Sequence, residues 1–219
     1  MNVEMFTAQG FEQNAYIAWR DGASDAVAID AGGAAIAMAD FLEARKLTLA
    51  AVLLTHAHID HIEGVGKLLG RIESEAQVYL HADDRRFYDN AAVQAAQFGM
   101  AVDPLPPIEQ TLTHGQRLKF GALHFSVRHT PGHSPGHIIL VVEKPDLAFV
   151  GDVVFQGSIG RSDLPGGNHQ TLMRSIRQQV LTLPDATRLY CGHGPPTTVA
   201  HERETNPFLA PTYGGGGFA

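Results

Sequence analysis

The sequence predicts an α/β (α+β) fold in which helices cover the outer faces of a β-sandwich. Apolar runs of strand length alternate with helical patterns in both halves of the chain, and a segment with three prolines, 103–109, separates the halves. With 219 residues, 44% of them hydrophobic, the chain can bury a substantial core. Mixed strands and helices of this kind pack in layers, because each element must bury an apolar face.

The first half is predicted to open with a β-hairpin and to continue with alternating helices and strands. The hairpin joins 15–19 to 25–30 through a turn at Asp21 and Gly22. Apolar runs predict the strands, and helical spacing with basic or glycine-marked ends predicts the helices. The predicted elements that follow are a helix at 35–46, a strand at 49–54, a helix at 62–72, a strand at 77–81 and a helix at 82–98.

The second half restarts with strands after the proline-rich segment. Prolines fix φ and lack an N–H donor, so 103–109 is predicted to be irregular and to bridge the two halves of one domain. The elements predicted beyond it are strands at 122–129, 137–143, 147–150 and 187–191 and a helix at 169–183. The glycine-rich end, 211–219, is predicted to be a flexible tail, which leaves 1–210 as a single domain.

Composition narrows the class of protein. A formal net charge of −7 argues against a nucleic-acid surface, which requires clustered lysine and arginine. Cys191 is the only cysteine, which excludes an intrachain disulfide and fits a reducing compartment. No signal peptide is evident, and the longest uncharged apolar runs are too short to span a bilayer. We therefore expect a cytoplasmic protein with neither a nucleic-acid nor a membrane partner.

The stretch THAHIDH concentrates potential metal ligands. His56 and His58 are two residues apart, so an extended backbone directs both rings to the same side. Asp60 and His61 are adjacent and lie where the chain turns into the next predicted helix. Two neighbouring metal ions, each taking two of these residues, fit this spacing better than one. A catalytic site needs at least three protein ligands, so both sites still lack ligands here.

Three further segments can supply the missing ligands. His133, Asp152 and His193 each follow the carboxyl end of a predicted strand, next to a glycine or within a Pro/Gly loop. Strand ends at one edge of a sheet converge, and glycine allows the backbone to approach closely. The spacing therefore predicts a metal site assembled from four separate segments.

These segments resemble the metal motifs of a known family. THAHIDH, HTPGHSPGH, GDVVF and GHGPPTT resemble, in their usual order, the motifs of the metallo-β-lactamase superfamily. GDVVFQGSIGRSDLPGG and ETNPFL resemble more specifically the glyoxalase II-type (hydroxyacylglutathione hydrolase-like) thioesterases. The match extends from about Asn14 to Leu209. The resemblance implies a four-layer αββα sandwich with the metal site at one edge.

The resemblance also implies which residue holds which metal. The first metal is expected to bind His56, His58 and His133, the second Asp60, His61 and His193, with Asp152 bridging the two. Asp60 and Asp152 are expected to be catalytic as well. Two divalent metals ~3.5–4 Å apart can hold a hydroxide between them and polarise a carbonyl group. Zinc is the first expectation, and iron or manganese also suits imidazole and carboxylate ligands.

The expected activity is hydrolysis of a small-molecule thioester similar to S-lactoylglutathione. A thiol with a pKa of about 8.5 leaves as thiolate without a strong general acid. The sequence has no G-x-S-x-G motif, in keeping with a mechanism that needs no serine nucleophile. Arg161 resembles a substrate-binding lysine of glyoxalase II, and the loop GSIGRSDLPGG is expected to line the substrate site.

Three alternatives remain open. Persulfide dioxygenases resemble this pattern but use one iron, whose ligands here would be His56 or His58 with His133 and Asp152. A lactonase or another ester hydrolase would share every ligand. A non-enzymatic binding module ranks last. Glyoxalase II enzymes add a helical domain that holds glutathione. The printed sequence continues for about 25 residues beyond His193, with Arg203 as its only lysine or arginine there. The substrate, the native metals and the oligomeric state stay open.

Several other polar residues are predicted to lie outside the ligand set. Asp30 is expected to hold the turn after its strand, or alternatively to brace a metal ligand. His137 is expected near the ligands or in the core, and Cys191 is expected to be a packing residue. The histidines expected at the surface or at helix caps are His81, His114, His124, His129, His169 and His201.

Overall fold

Two six-stranded β-sheets form the frame of the protein, seen in a computed structural model that describes residues 1–142 and 144–209. The first sheet has the strand order β1-β2-β3-β4-β5-β6 and the second β14-β13-β10-β9-β8-β7, while β11 and β12 form a separate pair. The strands are β1 (Asn2–Thr7), β2 (Asn14–Trp19), β3 (Asp25–Ile29), β4 (Thr48–Leu53), β5 (Gln77–His81), β6 (Gln110–Leu112), β7 (Arg117–Phe120), β8 (Leu123–His129), β9 (Ile138–Val142), β10 (Leu147–Gly151), β11 (Val154–Phe155), β12 (Ser158–Ile159), β13 (Arg188–Cys191) and β14 (Thr197–Thr198).

Helices lie between these strands in the chain. They are α1 (Ala35–Arg45), α2 (Ile59–Ile62), α3 (Val65–Arg71), α4 (Arg85–Asp89), α5 (Ala91–Gln97), α6 (His169–Ser175) and α7 (Val199–Thr205). A 3₁₀ turn, Ala82–Asp84, precedes α4, and a π-helical segment, Ile176–Val180, follows α6. No helix in the described part of the chain is both long and apolar enough to cross a membrane.

The first sheet is buried on both faces. Along β2, Tyr16 and Ala18 pack in a central core that this sheet shares with the second sheet. Ala15 and Ile17, on the opposite face, pack in a core with Leu42 of α1. This division follows from the alternation of side chains along a strand.

The second sheet is covered in the same way. In β9, Leu140 belongs to the central core, whereas Ile139 packs with Leu172 of α6 and Ile176 of the π-helical segment. The layers are therefore helix, sheet, sheet and helix, and the predicted αββα sandwich is confirmed. Burial on both faces explains why β9 and β10, in the middle of this sheet, are continuous apolar runs.

Most of the long predicted elements are confirmed. The hairpin of β2 and β3, the helix α1 and the irregular segment 103–109 are present as predicted. The predicted strands correspond to β4, β5, β8, β9, β10 and β13, with ends that differ by at most one residue.

The helix predicted at 62–72 is two helices in the structure. The first, α2, begins earlier, at Ile59, and the second, α3, begins after Gly64. A side chain at Gly64 would collide with the carbonyl oxygen of Gly32, so this close approach of two backbone segments requires glycine. The prediction treated Gly64 as an ordinary helical position and was wrong there.

The helix predicted at 82–98 is also interrupted. A 3₁₀ turn comes first, and Asn90 then separates α4 from α5, with its side-chain amide donating to the Arg86 carbonyl oxygen at 2.7 Å. The helix predicted at 169–183 passes into the π-helical segment after Ser175, whose hydroxyl donates to the Pro131 carbonyl oxygen at 2.7 Å. A local side-chain hydrogen bond competes with the regular helical pattern at Asn90, whereas at Ser175 the side chain bonds to a segment distant in sequence.

Several short elements are absent from the sequence prediction: β1, β6, β7, β11, β12, β14 and α7. The strands among them lie at sheet edges, pair over two to six residues and have mixed burial, so their sequences lack a clear apolar run. The tail predicted at 211–219 lies outside the described residues.

Candidate metal centre

The predicted ligands follow the carboxyl ends of strands that run in the same direction. β3, β4 and β5 are parallel to one another in the first sheet, and β10 is parallel to β13 in the second. His56 follows β4, Asp152 follows β10 and His193 follows β13. The carboxyl ends of parallel strands meet at one edge of a sheet, which is why residues distant in sequence come together here.

Three histidines form the first ligand group. The ligand atoms of His56, His58 and His133 lie within 4.8 Å of one another. His58 Nδ1 and His133 Nε2 are 2.8 Å apart, and the centres of their rings are 4.5 Å apart. His56 and His133 are buried and His58 is half-buried, so the group is shielded from bulk water on most sides.

A second ligand group lies beside the first. Asp60, His61 and His193 place their ligand atoms within 4.8 Å of one another. Asp60 Oδ2 is 3.2 Å from His193 Nε2 and 3.6 Å from His61 Nε2. The ring centres of His56 and His61 are 4.1 Å apart, so the two groups are immediate neighbours.

Asp152 contacts both groups. Its Oδ1 is 3.3 Å from His61 Nε2, and its Oδ2 is 3.5 Å from both His133 Nε2 and His193 Nε2. One carboxylate thus reaches histidines of each group. The structure brings together all seven predicted ligands, with Asp152 in the position that the resemblance assigns to a bridge.

Hydrogen bonds at the far side of three rings direct their other nitrogen into the site. Nδ1 of His61 donates to Asp30 Oδ2 at 3.0 Å. Nδ1 of His133 donates to the Arg161 carbonyl oxygen at 2.7 Å, and Nδ1 of His193 to the Phe11 carbonyl oxygen at 3.1 Å. A donating Nδ1 leaves Nε2 unprotonated in the neutral ring, which is the form that binds a metal.

Buried polar atoms without partners test whether metal ions fit this site. Six buried side-chain polar atoms of the described residues have no hydrogen-bond partner, and three of them lie in this site: His56 Nε2, His61 Nε2 and Asp152 Oδ1. A buried polar atom without a partner costs about 1–3 kcal/mol. All three atoms belong to predicted ligands, and cations between them would satisfy all three. The donor set of imidazoles and carboxylates suits zinc, iron and manganese.

His56 and His58 of the first group are held in their neutral form. Burial lowers the pKa of His56 well below its usual value, and the neighbouring His61 and His58 lower it further. Burial and the nearby His133 lower the pKa of His58 to about 3. Neutral imidazoles with a free lone pair are therefore present at every physiological pH.

The second group carries charge that a metal would replace. Burial lowers the pKa of His61, but the carboxylates of Asp152, Asp60 and Asp30 outweigh this effect and raise it well above its usual value. The pKa of His193 is likewise raised to about 10, by Asp152 and Asp60 against the effect of burial. Without metal, protons on these rings balance the carboxylates, and a metal ion must displace them.

Asp30 both holds the chain after its strand and supports a predicted ligand, His61. Its Oδ1 accepts from the Thr55 backbone N–H at 2.7 Å and its Oδ2 from the Thr55 hydroxyl at 2.6 Å. The same Oδ2 accepts from His61. Both functions weighed from the sequence, holding the chain after its strand and bracing a ligand, are present in the structure.

Asp84 is a functional residue that the sequence analysis missed. Its buried carboxylate accepts from the backbone N–H of Ala57 at 3.0 Å, the Ser134 hydroxyl at 2.7 Å and the backbone N–H of Gly136 at 2.6 Å. Ala57 lies between His56 and His58, and Ser134 follows His133. Asp84 lies three residues after β5, so it also follows the end of a strand, as the predicted ligands do. Because 82–98 was predicted to be a helix, Asp84 was not recognised as a strand-end residue.

The remaining candidates lie where the sequence suggested. His137 is buried beside the ligands, and its Nε2 accepts from the Asp152 backbone N–H at 3.1 Å, so it supports the site without facing it. Cys191 is buried, and burial raises the pKa of its thiol, as expected for a packing residue. The other histidines are exposed or half-exposed: His81, His114, His124, His129, His169 and His201.

A cavity of about 440 Å³ opens over the metal centre. His58, Asp60, His133, Asp152 and His193 line its metal side. Its other walls come from the turn before β2, from α4 and α5, and from the loop after β12; they include Phe11, Arg86, Phe87, Val93, Phe98, Arg161, Leu164 and Pro165. The loop predicted to line a substrate site therefore does border this cavity.

The position of Arg161 agrees with the prediction, but its charge is already paired. Its Nε and Nη2 both donate to the Asp163 carboxylate, each at 2.8 Å. Its side chain is largely exposed at the rim. Substrate binding by Arg161 stays a prediction.

Comparison with known families identifies the same superfamily as the sequence motifs do. The family described as the metallo-beta-lactamase superfamily matches residues 8–193, which include all seven predicted ligands. Hydroxyacylglutathione hydrolase GloC of Haemophilus influenzae is 37% identical over 210 residues, which cover 95% of this chain and 98% of that protein.

Two solved structures are similar over nearly the whole chain. BLEG-1 B3 metallo-beta-lactamase is 38% identical with a TM-score of 0.86, over 95% of this chain and 100% of that one. TTHA1623 in a di-iron-bound form is 38% identical with a TM-score of 0.85, over 94% of this chain and 100% of that one.

Proposed function

The chain belongs to the metallo-beta-lactamase superfamily, and from this premise we propose that it hydrolyses thioesters at a centre of two divalent metal ions. The observation that carries the proposal is the position of Asp152, whose two oxygens reach both ligand groups. An aspartate here, between two complete groups of three ligands, favours a two-metal centre over one. The residues proposed to hold the metals are His56, His58, Asp60, His61, His133, Asp152 and His193.

Two bound divalent cations would supply Lewis acidity for the carbonyl oxygen and lower the pKa of a water molecule to about 7. The chain contributes the geometry around them. His61, His133 and His193 are fixed by hydrogen bonds to neighbouring groups, so their ligand nitrogens are already aimed at the site. Preorganised ligands of this kind lose little conformational freedom when the substrate arrives.

The proposed reaction adds water across the C–S bond of a thioester. A C–O bond forms, the C–S bond breaks, and the sulfur takes the electron pair and leaves as a thiolate while one proton is released. Because a thiol has a pKa of about 8.5, this leaving group needs no strong acid. Cys191 takes no part, since it is buried and its thiol pKa is raised.

Similarity guides the choice of substrate and metal. The relative from Haemophilus influenzae is a hydroxyacylglutathione hydrolase, so S-lactoylglutathione is the first substrate to test. Zinc is our first choice of metal, and the di-iron form of TTHA1623 makes iron the second. We propose that the enzyme acts in the cytoplasm on a small-molecule thioester, with no nucleic-acid or membrane partner.

The first test combines metal analysis with an assay. We expect about two metal ions per chain and hydrolysis of S-lactoylglutathione by the same sample. Asp152→Asn and His56→Ala should each lower kcat/KM by at least about 10³-fold, because electrostatic stabilisation of the transition state is lost. Both should also lower bound metal. His124→Ala and Asp103→Asn, on exposed residues outside the cavity, are the matched controls and should behave as wild type.

Other outcomes favour different reactions. One iron per chain with oxygen uptake on glutathione persulfide would identify a persulfide dioxygenase. Hydrolysis of a chromogenic cephalosporin is the second candidate, favoured by the 38% identity to BLEG-1 B3 metallo-beta-lactamase. Wild-type rates in Asp152→Asn would refute the proposed use of this centre.

A further inference from the structure

The cavity over the metal centre has an apolar wall that is open to solvent. Val93 and Phe98 of the α5 region are 59% and 57% exposed, the highest values among the large hydrophobic side chains of the described residues. Phe11 packs edge-on against Phe98, with ring centres 5.2 Å apart, and joins the turn before β2 to this wall. Apolar surface of this kind, beside a few convergent polar groups, is typical of a small-molecule site.

Two arginines line the cavity, and they differ in whether a carboxylate of the protein already pairs with the guanidinium group. Arg161 has its guanidinium occupied by the Asp163 carboxylate. Arg86 forms no ion pair with any carboxylate of residues 1–142 and 144–209. Its guanidinium carbon lies 4.7 Å from the centre of the Phe87 ring. Stacking on an aromatic face leaves the N–H donors at the edge of a guanidinium free to bind a carboxylate.

The position of Arg86 suits recognition of a group at a distance from the reacting carbonyl. Phe87, on which it stacks, also contacts the ring of His58 at 6.2 Å between centres. Arg86 is therefore separated from the metal centre by one aromatic side chain. A substrate whose carbonyl group lies at the metals would pass along this ring before reaching the guanidinium.

Charge favours such a group as the contact for an anionic substrate. The chain carries a formal net charge of −7, which opposes the approach of anions. An unpaired arginine at the mouth of the cavity reverses this effect locally. A neutral substrate would have no use for it.

We propose that Arg86 binds a carboxylate of the substrate, and that the substrates are anionic thioesters with an apolar portion packed on Phe11, Val93 and Phe98. This inference rests on the proposed thioester hydrolysis and adds the class of substrate. It assigns recognition of the anion to α4, and it gives Arg161, already paired with Asp163, no part in it.

Matched pairs of substrates test the inference. Acetyl thioesters of 3-mercaptopropionate and of 6-mercaptohexanoate, each compared with its amide, differ only in the carboxylate and cover a short and a long reach. We expect wild type to prefer at least one carboxylate over its amide by about tenfold or more in kcat/KM, the effect of one charge-assisted hydrogen-bonded pair. Arg86→Gln should reduce this ratio to near unity, and Arg86→Lys should retain part of it.

The control lies on the same helix. Arg85 donates from Nε to Asp89 at 2.8 Å and does not line the cavity, so Arg85→Gln removes an equal charge without removing the proposed contact. It should keep the wild-type ratio. Retention of that ratio by Arg86→Gln, its loss in Arg161→Gln instead, or the absence of any preference in wild type would overturn the inference while thioester hydrolysis stands. Cleavage of S-lactoylglutathione but of none of the four thioesters would also overturn the inference alone. Failure of the metal-loaded wild type to cleave S-lactoylglutathione and all four thioesters would overturn the proposed function and this inference with it.

Discussion

At the scale of single residues, Asp30 shows how a side chain that does not face the site can control a ligand. Its carboxylate fixes the Thr55 backbone and hydroxyl, and it accepts the Nδ1 proton of His61. The hydrogen bond to Nδ1 selects the tautomer of His61 that presents Nε2 to a metal. The same carboxylate stabilises the ring orientation, because His61 is fully buried and has no other partner at Nδ1.

The substitution Asp30→Asn tests this dependence. The amide cannot accept at both positions that the carboxylate uses, so we expect affinity for one of the two metals to fall by about 10–100-fold. Competition with a chromophoric chelator, followed over two binding steps, measures the change. Asp21→Asn, in an exposed turn, serves as the control. Equal affinity at both steps for Asp30→Asn and wild type would show that Asp30 has only its structural role.

The ligands were predictable from sequence, whereas Asp84 and Arg86 were not. Asp152 and His193 stand out because each follows an apolar strand beside a glycine, and His133 because it lies in a Pro/Gly loop after a strand. Polar residues at such positions have few structural explanations. Asp84 and Arg86 fell inside a stretch with good helical spacing. Their positions depend on where that helix breaks, which helical periodicity does not reveal.

At the scale of elements, Asp84 joins the two loops that carry the first group of candidate ligands. One loop follows β4 and presents His56 and His58; the other follows β8 and presents His133. Asp84 accepts two hydrogen bonds from the second loop and one from the first, and burial raises the pKa of its carboxyl group. A side chain at Gly136 would collide with Asp84, so the contact leaves no room for adjustment.

Asp84→Asn should therefore loosen the first ligand group. The amide turns a donor toward groups that are themselves donors, which leaves at least one buried N–H or O–H unsatisfied. We expect the free energy of unfolding to fall by about 1–3 kcal/mol and bound metal to decrease. Urea denaturation and metal analysis measure the two effects. The control Asp83→Asn, on the exposed neighbouring residue, should change neither stability nor bound metal. If Asp84→Asn loses stability but keeps both metals at full affinity, Asp84 does not position the ligands.

The elements differ in how well their sequences predict them. Strands β9 and β10 are buried on both faces, so their apolar runs are unmistakable. Edge strands such as β1 and β7 have one or both faces partly exposed, so their sequences lack the continuous apolar run that marks a buried strand. Helix breaks at Gly64 and Asn90 arise from tertiary contacts and side-chain hydrogen bonds, which helical periodicity does not report.

At the scale of the whole molecule, the metal centre lies across the two sheets. His56, His58, Asp60 and His61 follow a strand of the first sheet, while His133, Asp152 and His193 follow strands of the second. Each ligand group contains residues from both sheets. A metal ion in either group would therefore connect the halves of the sandwich at one edge of the central core, in addition to any role in catalysis.

Metal removal should for this reason lower the thermal stability of the entire domain. A ligand that binds only the folded state at 100 times its Kd stabilises that state by about 2.7 kcal/mol. For a domain of this size 1 kcal/mol corresponds to about 2–4 °C in Tm. Two such sites should then raise Tm by roughly 10–20 °C over the chelator-treated protein.

Scanning calorimetry of the metal-loaded and chelated protein, with metal content measured on each sample, checks this expectation. His56→Ala should show a smaller difference between the two samples than wild type, because its first group lacks a ligand that connects the sheets. His124→Ala, on the exposed face of β8, should show the full difference. If chelation removes both metals and leaves Tm unchanged, the sheets are held together by their central core alone, and the ligand groups must be preformed without any metal. The unpartnered, buried Nε2 atom of His56 argues for the opposite result, because its burial without a partner is costly and a bound cation would offset that cost.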